Sequence, residues 1–179
     1  MLRSLKTKDH LRRKAGEIYG VIVTQARQPD FYVSMGVPDT PVGRYEMIVL
    51  HLFMVLERLR EQGDSEGDGG LAQAVMETFV IDMDDCMREM GVGDVSVGRK
   101  VRRAAAGFYE RGRDYREALA TPDRQLLAQR LASHILVRDT VDPQSTALAD
   151  YVRAAVVGSG DVAGSQAFPD LAPYAEAAR

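Results

Sequence analysis

The sequence predicts an all-α fold, a single compact bundle of about six helices with a flexible C-terminal tail. Three observations support this prediction. Apolar residues recur with the helical period, strand-like alternation is nearly absent, and proline or glycine separates the periodic segments. The chain has 179 residues, of which 45% are hydrophobic and 27% charged. This length and balance are typical of one globular domain with a sizeable core.

The first half of the chain predicts two helices joined by a connector. The first helix is expected over residues 9–28, because Pro29 disfavours helical geometry in the residue before it. Residues 29–41 are rich in proline and predict an ordered, extended connector whose aromatic residues are available for packing. A second helix then begins near Pro41, which suits the first turn of a helix.

This second helix is predicted to be the centre of the core. Residues 47–56 are apolar all round except at His51, which is typical of a helix surrounded by others. The run is too short to cross a bilayer. The residues expected to be buried, with two phenylalanines packed nearby, are Ile48, Leu52, Val55, Leu56 and Leu59, with Phe79 and Phe108.

The second half predicts four more helices. Two are expected over residues 71–90 and 97–120, separated by a glycine-containing turn in which Asp94 is a candidate cap. Two shorter helices are expected to open at Pro122 and Pro143. The predicted organisation is therefore a basic N-terminal extension (1–8), a helical domain (9–158) and a tail rich in glycine, alanine and proline (159–179).

Charge is unevenly distributed along a chain whose formal net charge is −3. Residues 57–94 contain 11 acidic and 3 basic residues, whereas residues 99–116 contain 7 basic and 2 acidic residues. One interpretation is two neighbouring helices that attract each other, with a small contribution from each pair. The other is a basic face for a partner. The acidic chain as a whole does not favour a specific nucleic-acid ligand.

A partner-binding surface is hypothesised at the start of the 97–120 helix. Four cations lie where the helix dipole is already positive, an arrangement that disfavours the helix itself. Phe31 and Tyr32 are expected to add apolar contacts if they are exposed. The cations of this basic cluster are Arg99, Lys100, Arg102 and Arg103.

Motifs for catalysis or for a cofactor are missing from the sequence. It contains no phosphate-binding loop, dinucleotide fingerprint, zinc-protease motif or nucleophile elbow. The acidic run 82–85 (DMDD) lacks the glycine that a calcium loop needs, so we expect Asp82, Asp84 and Asp85 to bind no metal. The single cysteine, Cys86, excludes an internal disulfide and is expected to be a small buried residue. We therefore expect no cofactor.

Two features leave alternatives open. His51 is expected to be a buried, hydrogen-bonded core residue, while the alternative is a small helical haem- or quinone-handling protein or enzyme centred on it. Met83, Met87 and Met90 form either an adaptable groove for a client protein or part of the core. The basic N-terminus lacks the apolar region of a secretory signal, so a soluble protein of a cytoplasm-like, reducing compartment is expected.

Several separate blocks resemble one protein family over about residues 15–139. The resemblance lies in residues 25–32 (QARQPDFY), 36–40 (GVPDT), 43–44 (GR), 50–53 (LHLF), 82–85 (DMDD), 88–94 (REMGVGD), 98–101 (GRKV) and 108–109 (FY). The sequence is similar to the ubiquinol–cytochrome c chaperone family, and most similar to its short bacterial branch.

The resemblance implies a non-enzymatic assembly chaperone with an all-α fold. Its client would be cytochrome b or its nascent chain, bound during biogenesis of the ubiquinol–cytochrome c reductase (bc1) complex. Family members in mitochondria work with a small partner protein. Cytoplasmic location, with peripheral contact to the inner membrane or a ribosome, is the corresponding expectation.

Overall fold

The described residues of the chain form an all-helical bundle. The computed structural model describes the backbone of residues 2–64, 69–89, 93–158, 160–164 and 167–179, and side chains from residue 9 onward except at 94 and 95. These residues contain no β-strand, which confirms the predicted fold class. The helices are α1 (Leu2–Ala26), α2 (Pro29–Val33), α3 (Pro41–Glu61), α4 (Leu71–Glu89), α5 (Asp94–Ala120), α6 (Arg124–Leu131), α7 (Pro143–Val157) and α8 (Ala172–Ala177).

The N-terminal part differs from the prediction at both ends of the first helix. Helix α1 begins at Leu2 rather than near Asp9, so it runs through the segment predicted to be a separate extension. After it, the predicted extended connector instead contains α2. Gln28 keeps the extended backbone that a following proline requires, with ψ of 131°, and Pro29 then opens the helix.

Helix α3 lies at the centre of the bundle and contacts α1, α4 and α7. Thr40 caps it, with the Oγ1 atom accepting a hydrogen bond of 3.1 Å from the Gly43 N–H. Gly43 is required there, because a Cβ atom would lie 2.0 Å from the carbonyl oxygen of Pro38. This close approach fixes the angle at which the chain enters the central helix.

The predicted core is confirmed except at one position. The side chains of Leu52, Val55, Leu56 and Leu59 are buried, whereas Ile48 is half-buried. Ile48 is packed against the edge of the core rather than within it. The rings of Phe79 and Phe108 are both buried, and their centroids are 6.2 Å apart.

Helices α5 to α7 begin and end close to the predicted places. Gly93, rather than Asp94, is the N-cap of α5, and the side chain of Asp94 lies outside the described residues. Helix α6 begins at Arg124 with Asp123 as its cap, and it continues into a π-helical turn, Ala132–Leu136. Helix α7 begins at Pro143, as predicted.

The predicted flexible tail requires a correction. Described residues of the tail pack on the bundle, and helix α8 lies against α7. The buried guanidinium of Arg58 on α3 donates hydrogen bonds to the carbonyl oxygens of Gly160 and Ala167. Small apolar side chains of the tail are buried as well, namely Val162, Ala167, Leu171, Ala175 and Ala178. The small side chains whose abundance indicated a loose tail instead let its backbone lie close to the core.

Candidate functional site: a groove beside the basic start of α5

The basic cluster lies exposed on the first turns of α5. None of its four cations forms an ion pair with another residue among those the structure describes. Like charges on successive turns near the positive end of a helix dipole disfavour the helix unless a partner neutralises them. The structure therefore leaves this positive charge available at the surface. Its members are Arg99, Lys100, Arg102 and Arg103.

Two cations further along α5 form ion pairs within the bundle. Their partners are carboxylates of α3 rather than of the acidic helix α4. Arg111 contacts Glu46 at 2.5 Å, and Arg116 contacts Glu57 at 2.5 Å. Burial raises the pKa of Glu46, and the Arg111 charge opposes this rise. Burial also acts to raise the pKa of Glu57, but hydrogen bonds from Arg116 and Arg60 outweigh it and lower that pKa.

A groove of about 740 Å³ opens between α4, α5 and the first turns of α3. We call it the α4–α5 groove. Its floor is apolar, and the hydroxyl of Tyr45 donates a 3.2 Å hydrogen bond to the carbonyl oxygen of Ala104, which joins α3 to α5 below it. Residues of the floor are Pro41, Val42, Tyr45, Met83, Met87, Ala104, Ala106 and Gly107, and the charged residues at its rim are Lys100, Arg103, Glu110 and Arg111.

The groove divides the basic cluster into two pairs. Lys100 and Arg103 line the groove, whereas Arg99 and Arg102 are exposed and do not line it. Met83 and Met87 are half-buried and line the groove from α4. These two methionines are therefore partly covered by the bundle and partly open to the groove, so both interpretations of the methionine stripe apply. Met90 lies outside the described residues.

The sequence prediction did not include the first turns of α3 in this site. Val42 is 67% exposed there and lines the groove together with Pro41. A second missed signal is the run of small residues at 104–107 (AAAG) on α5. Short side chains on a helix leave space above them, so this run is the sequence feature from which a concave surface could have been predicted.

Phe31 and Tyr32 do not contribute to this surface, which corrects the hypothesis that they are exposed contacts. Phe31 is fully buried, with its ring 5.2 Å from that of His51. The Tyr32 hydroxyl donates a 2.7 Å hydrogen bond to the carbonyl oxygen of Ala26. Helix α2 packs against α1 and α3, and these two aromatic side chains make the contacts that hold α2 there.

His51 is a buried, hydrogen-bonded core residue, as favoured by the sequence. Its Nδ1 atom is 2.7 Å from the carbonyl oxygen of Met47, which accepts but cannot donate, so Nδ1 carries the proton. Nε2 then accepts a 2.9 Å hydrogen bond from the Tyr151 hydroxyl. Burial lowers the pKa of His51 from 6.5 to about 4, against the opposing effect of the Met47 hydrogen bond.

This geometry disfavours the alternative of a haem- or quinone-handling site at His51. Both ring nitrogens already have partners within the protein. The ring is also packed edge to face against Phe31 and Phe168, with the latter centroid 4.9 Å away. A neutral imidazole with no free nitrogen is unsuited to ligating a metal or moving a proton to a substrate.

Two of the acidic residues in the run 82–85 of α4 have separate partners. Asp82 accepts a 2.7 Å hydrogen bond from the Tyr19 hydroxyl, and Asp84 pairs with Arg88 at 2.6 Å. Within the described residues, no three histidine, cysteine or carboxylate side chains come together as a metal would require. Cys86 is exposed, so the prediction that it is buried was wrong. Partial desolvation and the charges of Asp82 and Glu89 raise the pKa of its thiol, which disfavours the nucleophilic thiolate.

The apolar segments of the described helices are all too short or too charged to span a bilayer. This includes α3, whose apolar run is enclosed by the bundle. The side chains of this run belong to the buried core.

The chain is similar to known proteins in sequence and in fold. The family described as ubiquinol–cytochrome C chaperone matches residues 33–167. The chain is 24% identical over 140 residues to ubiquinol-cytochrome-c reductase complex assembly factor 1 of Xenopus laevis, which covers 78% of this chain and 68% of that protein. It is also similar to the crystal structure of the Cbp3 homolog from Brucella abortus, with a TM-score of 0.77, 34% sequence identity, and coverage of 95% of this chain and 97% of the other. The chain belongs to the ubiquinol–cytochrome c chaperone family.

Proposed function

We propose that this protein is a non-enzymatic chaperone that binds cytochrome b during assembly of the bc1 complex. The observation that carries the proposal is an open apolar groove on a chain of this chaperone family, with two cations at its rim, Lys100 and Arg103, that form no ion pair with the described residues. A relative with detectable identity is an assembly factor of the ubiquinol–cytochrome c reductase complex. His51, the buried histidine of the core, has internal partners at both ring nitrogens, which suits a scaffold for binding better than a reaction site.

The proposed working surface is the basic cluster together with the α4–α5 groove. Cytochrome b is a hydrophobic membrane subunit, and its segments need shielding from water before they are assembled. An apolar floor provides this shielding, and exposed cations increase the association rate with anionic surroundings. We place the protein in the cytoplasm with peripheral contact at the inner membrane, where newly made membrane subunits and anionic headgroups lie together. A small partner protein, as in mitochondrial members, is compatible with this role.

The experiment is reversal of charge in cells that depend on the bc1 complex. The variant Arg99→Glu/Arg103→Glu should lower the level of assembled bc1 complex, while the purified variant keeps the circular dichroism of the wild type. A matched control is Arg12→Glu/Arg124→Glu, which reverses two exposed cations elsewhere on the surface. Normal bc1 levels in cells with a folded Arg99→Glu/Arg103→Glu variant would exclude the basic cluster as the working surface. Co-purification of cytochrome b from detergent-treated membranes tests the identity of the client.

A further inference from the structure

We infer that the α4–α5 groove receives an amphipathic helical segment of the client, with apolar side chains on its inner face and carboxylates beside the end that lies over Lys100 and Arg103. This inference rests on the proposed chaperone function, and it adds the chemistry of the bound segment. The occupant is thus defined by two properties that are tested separately, an apolar stripe and acidic flanking residues.

The shape and composition of the floor favour a helix as the occupant. Residues of three helices line the groove, which is open to solvent rather than enclosed. Gly107 and Ala104 leave room on α5, while Met83 and Met87 on the facing helix adapt their flexible side chains to different apolar partners. Apolar side chains at helical spacing, laid into such a groove, are a recurring mode of peptide recognition.

The charges at the rim indicate the polarity of the occupant. Arg111 is already paired with Glu46, so the rim cations without a described ion pair are Lys100 and Arg103. Glu110 lies on the same helix about 10 Å further along its axis. One end of the groove is therefore positive and the other end carries a single carboxylate. Carboxylates of the occupant are favoured at the positive end, since like charges facing each other across an interface are disfavoured.

The test uses two synthetic helical peptides of equal length, with the same leucine stripe but flanked by glutamates in one and by lysines in the other. Affinity for the full-length protein is measured by fluorescence anisotropy at low ionic strength. The glutamate peptide should bind more tightly. In the variant Lys100→Gln/Arg103→Gln its affinity should fall about fivefold, the equivalent of two exposed ion pairs. The matched variant Arg99→Gln/Arg102→Gln removes the same charge outside the groove and should retain most of the affinity, and Glu110→Gln should bind the glutamate peptide more tightly.

The apolar half of the inference has its own matched pair of variants. Val42 is 67% exposed on the floor of the groove, and Val157 is 81% exposed at the end of α7. Val42→Ser should weaken binding of both peptides, whereas Val157→Ser should leave it unchanged. Thermal melts of all variants by circular dichroism control for folding.

Equal affinity for the two peptides, or equal losses in the two double variants, overturns the inference whatever the assembly assay gives. The same applies if neither peptide binds and vesicles of phosphatidylcholine with phosphatidylglycerol bind instead, because the ligand would then be a lipid surface. Failure of the proposed function gives a different result. In that case deletion of the gene leaves the bc1 level unchanged, even where the peptides bind as expected.

Discussion

Stability should depend on pH through His51, the fully buried histidine of the central helix. The pKa of His51 is lowered from 6.5 to about 4 in the folded protein. Between these values the unfolded chain binds a proton that the folded protein does not, so the free energy of unfolding falls as the pH falls. Each pKa unit corresponds to 1.36 kcal/mol, so His51 alone should remove about 3 kcal/mol of stability between pH 6.5 and pH 4.

Burial lowers the pKa of His51, and the neutral ring also matches its hydrogen-bond partner at Nε2. Nε2 of the neutral ring accepts from the Tyr151 hydroxyl, whose oxygen lies 3.3 Å from the Gln25 amide nitrogen that donates to it. In a protonated ring Nε2 would donate to this hydroxyl oxygen, so the Tyr151 O–H would lose the acceptor that it has in the neutral state. The protonated state therefore leaves a donor without a partner in a place that water does not reach.

The assay is urea unfolding followed by circular dichroism at several pH values between 7 and 4. Carboxylates and other histidines also titrate in this range, so the comparison is between wild type and His51→Gln. The variant should be less stable at pH 7, but its stability should fall by about 3 kcal/mol less on acidification. His10→Gln, which changes an exposed histidine, should reproduce the wild-type slope. Parallel pH profiles for wild type and His51→Gln would refute the assignment of a buried, neutral imidazole.

Three other outcomes are expected. Leu52→Ala should lower the free energy of unfolding by about 2–5 kcal/mol, because this core side chain is fully buried, and an unchanged melting temperature would contradict its central position. Arg58→Ala should release the tail, which would be seen as faster hydrogen exchange of its backbone amides, whereas the neighbouring Arg60→Ala should not. Equal exchange in the two variants would show that the hydrogen bonds from Arg58 do not hold the tail. Calorimetry should detect no stoichiometric binding of calcium, zinc or iron at the acidic run 82–85, and tight binding of any of them would disprove a metal-free role.

Helices whose ends are set by local chemistry were predicted well from the sequence. Pro41 and Pro143 both open helices at the expected residues, because proline is tolerated where the N–H has no helical acceptor. The burial of α3 followed from apolar residues on all its faces. These features depend on neighbouring residues alone, so periodicity and helix-terminal residues were sufficient to predict them.

Features that depend on distant contacts were missed. The tail is held through Arg58 and Ala167, which are 109 positions apart, and no local pattern in a glycine-rich segment indicates such a partner. Phe31 was expected to add an apolar contact to the partner-binding surface if it were exposed, yet folding of α2 onto the core buries it. Cys86 shows the opposite error, since its position beside the α4 stripe falls just outside the covered face.

The candidate site was predicted in part, and the division has a physical reason. The basic cluster is contiguous in sequence, so it was visible as a charge excess near one helix end. The apolar floor is assembled from three helices, and Val42, Met83 and Ala104 come together only when the bundle forms. Of the four cations, the fold sets two beside this floor and two away from it. That separation makes the surface testable as a binding site, because a nonspecific electrostatic surface would use all four alike, whereas a groove would depend on Lys100 and Arg103.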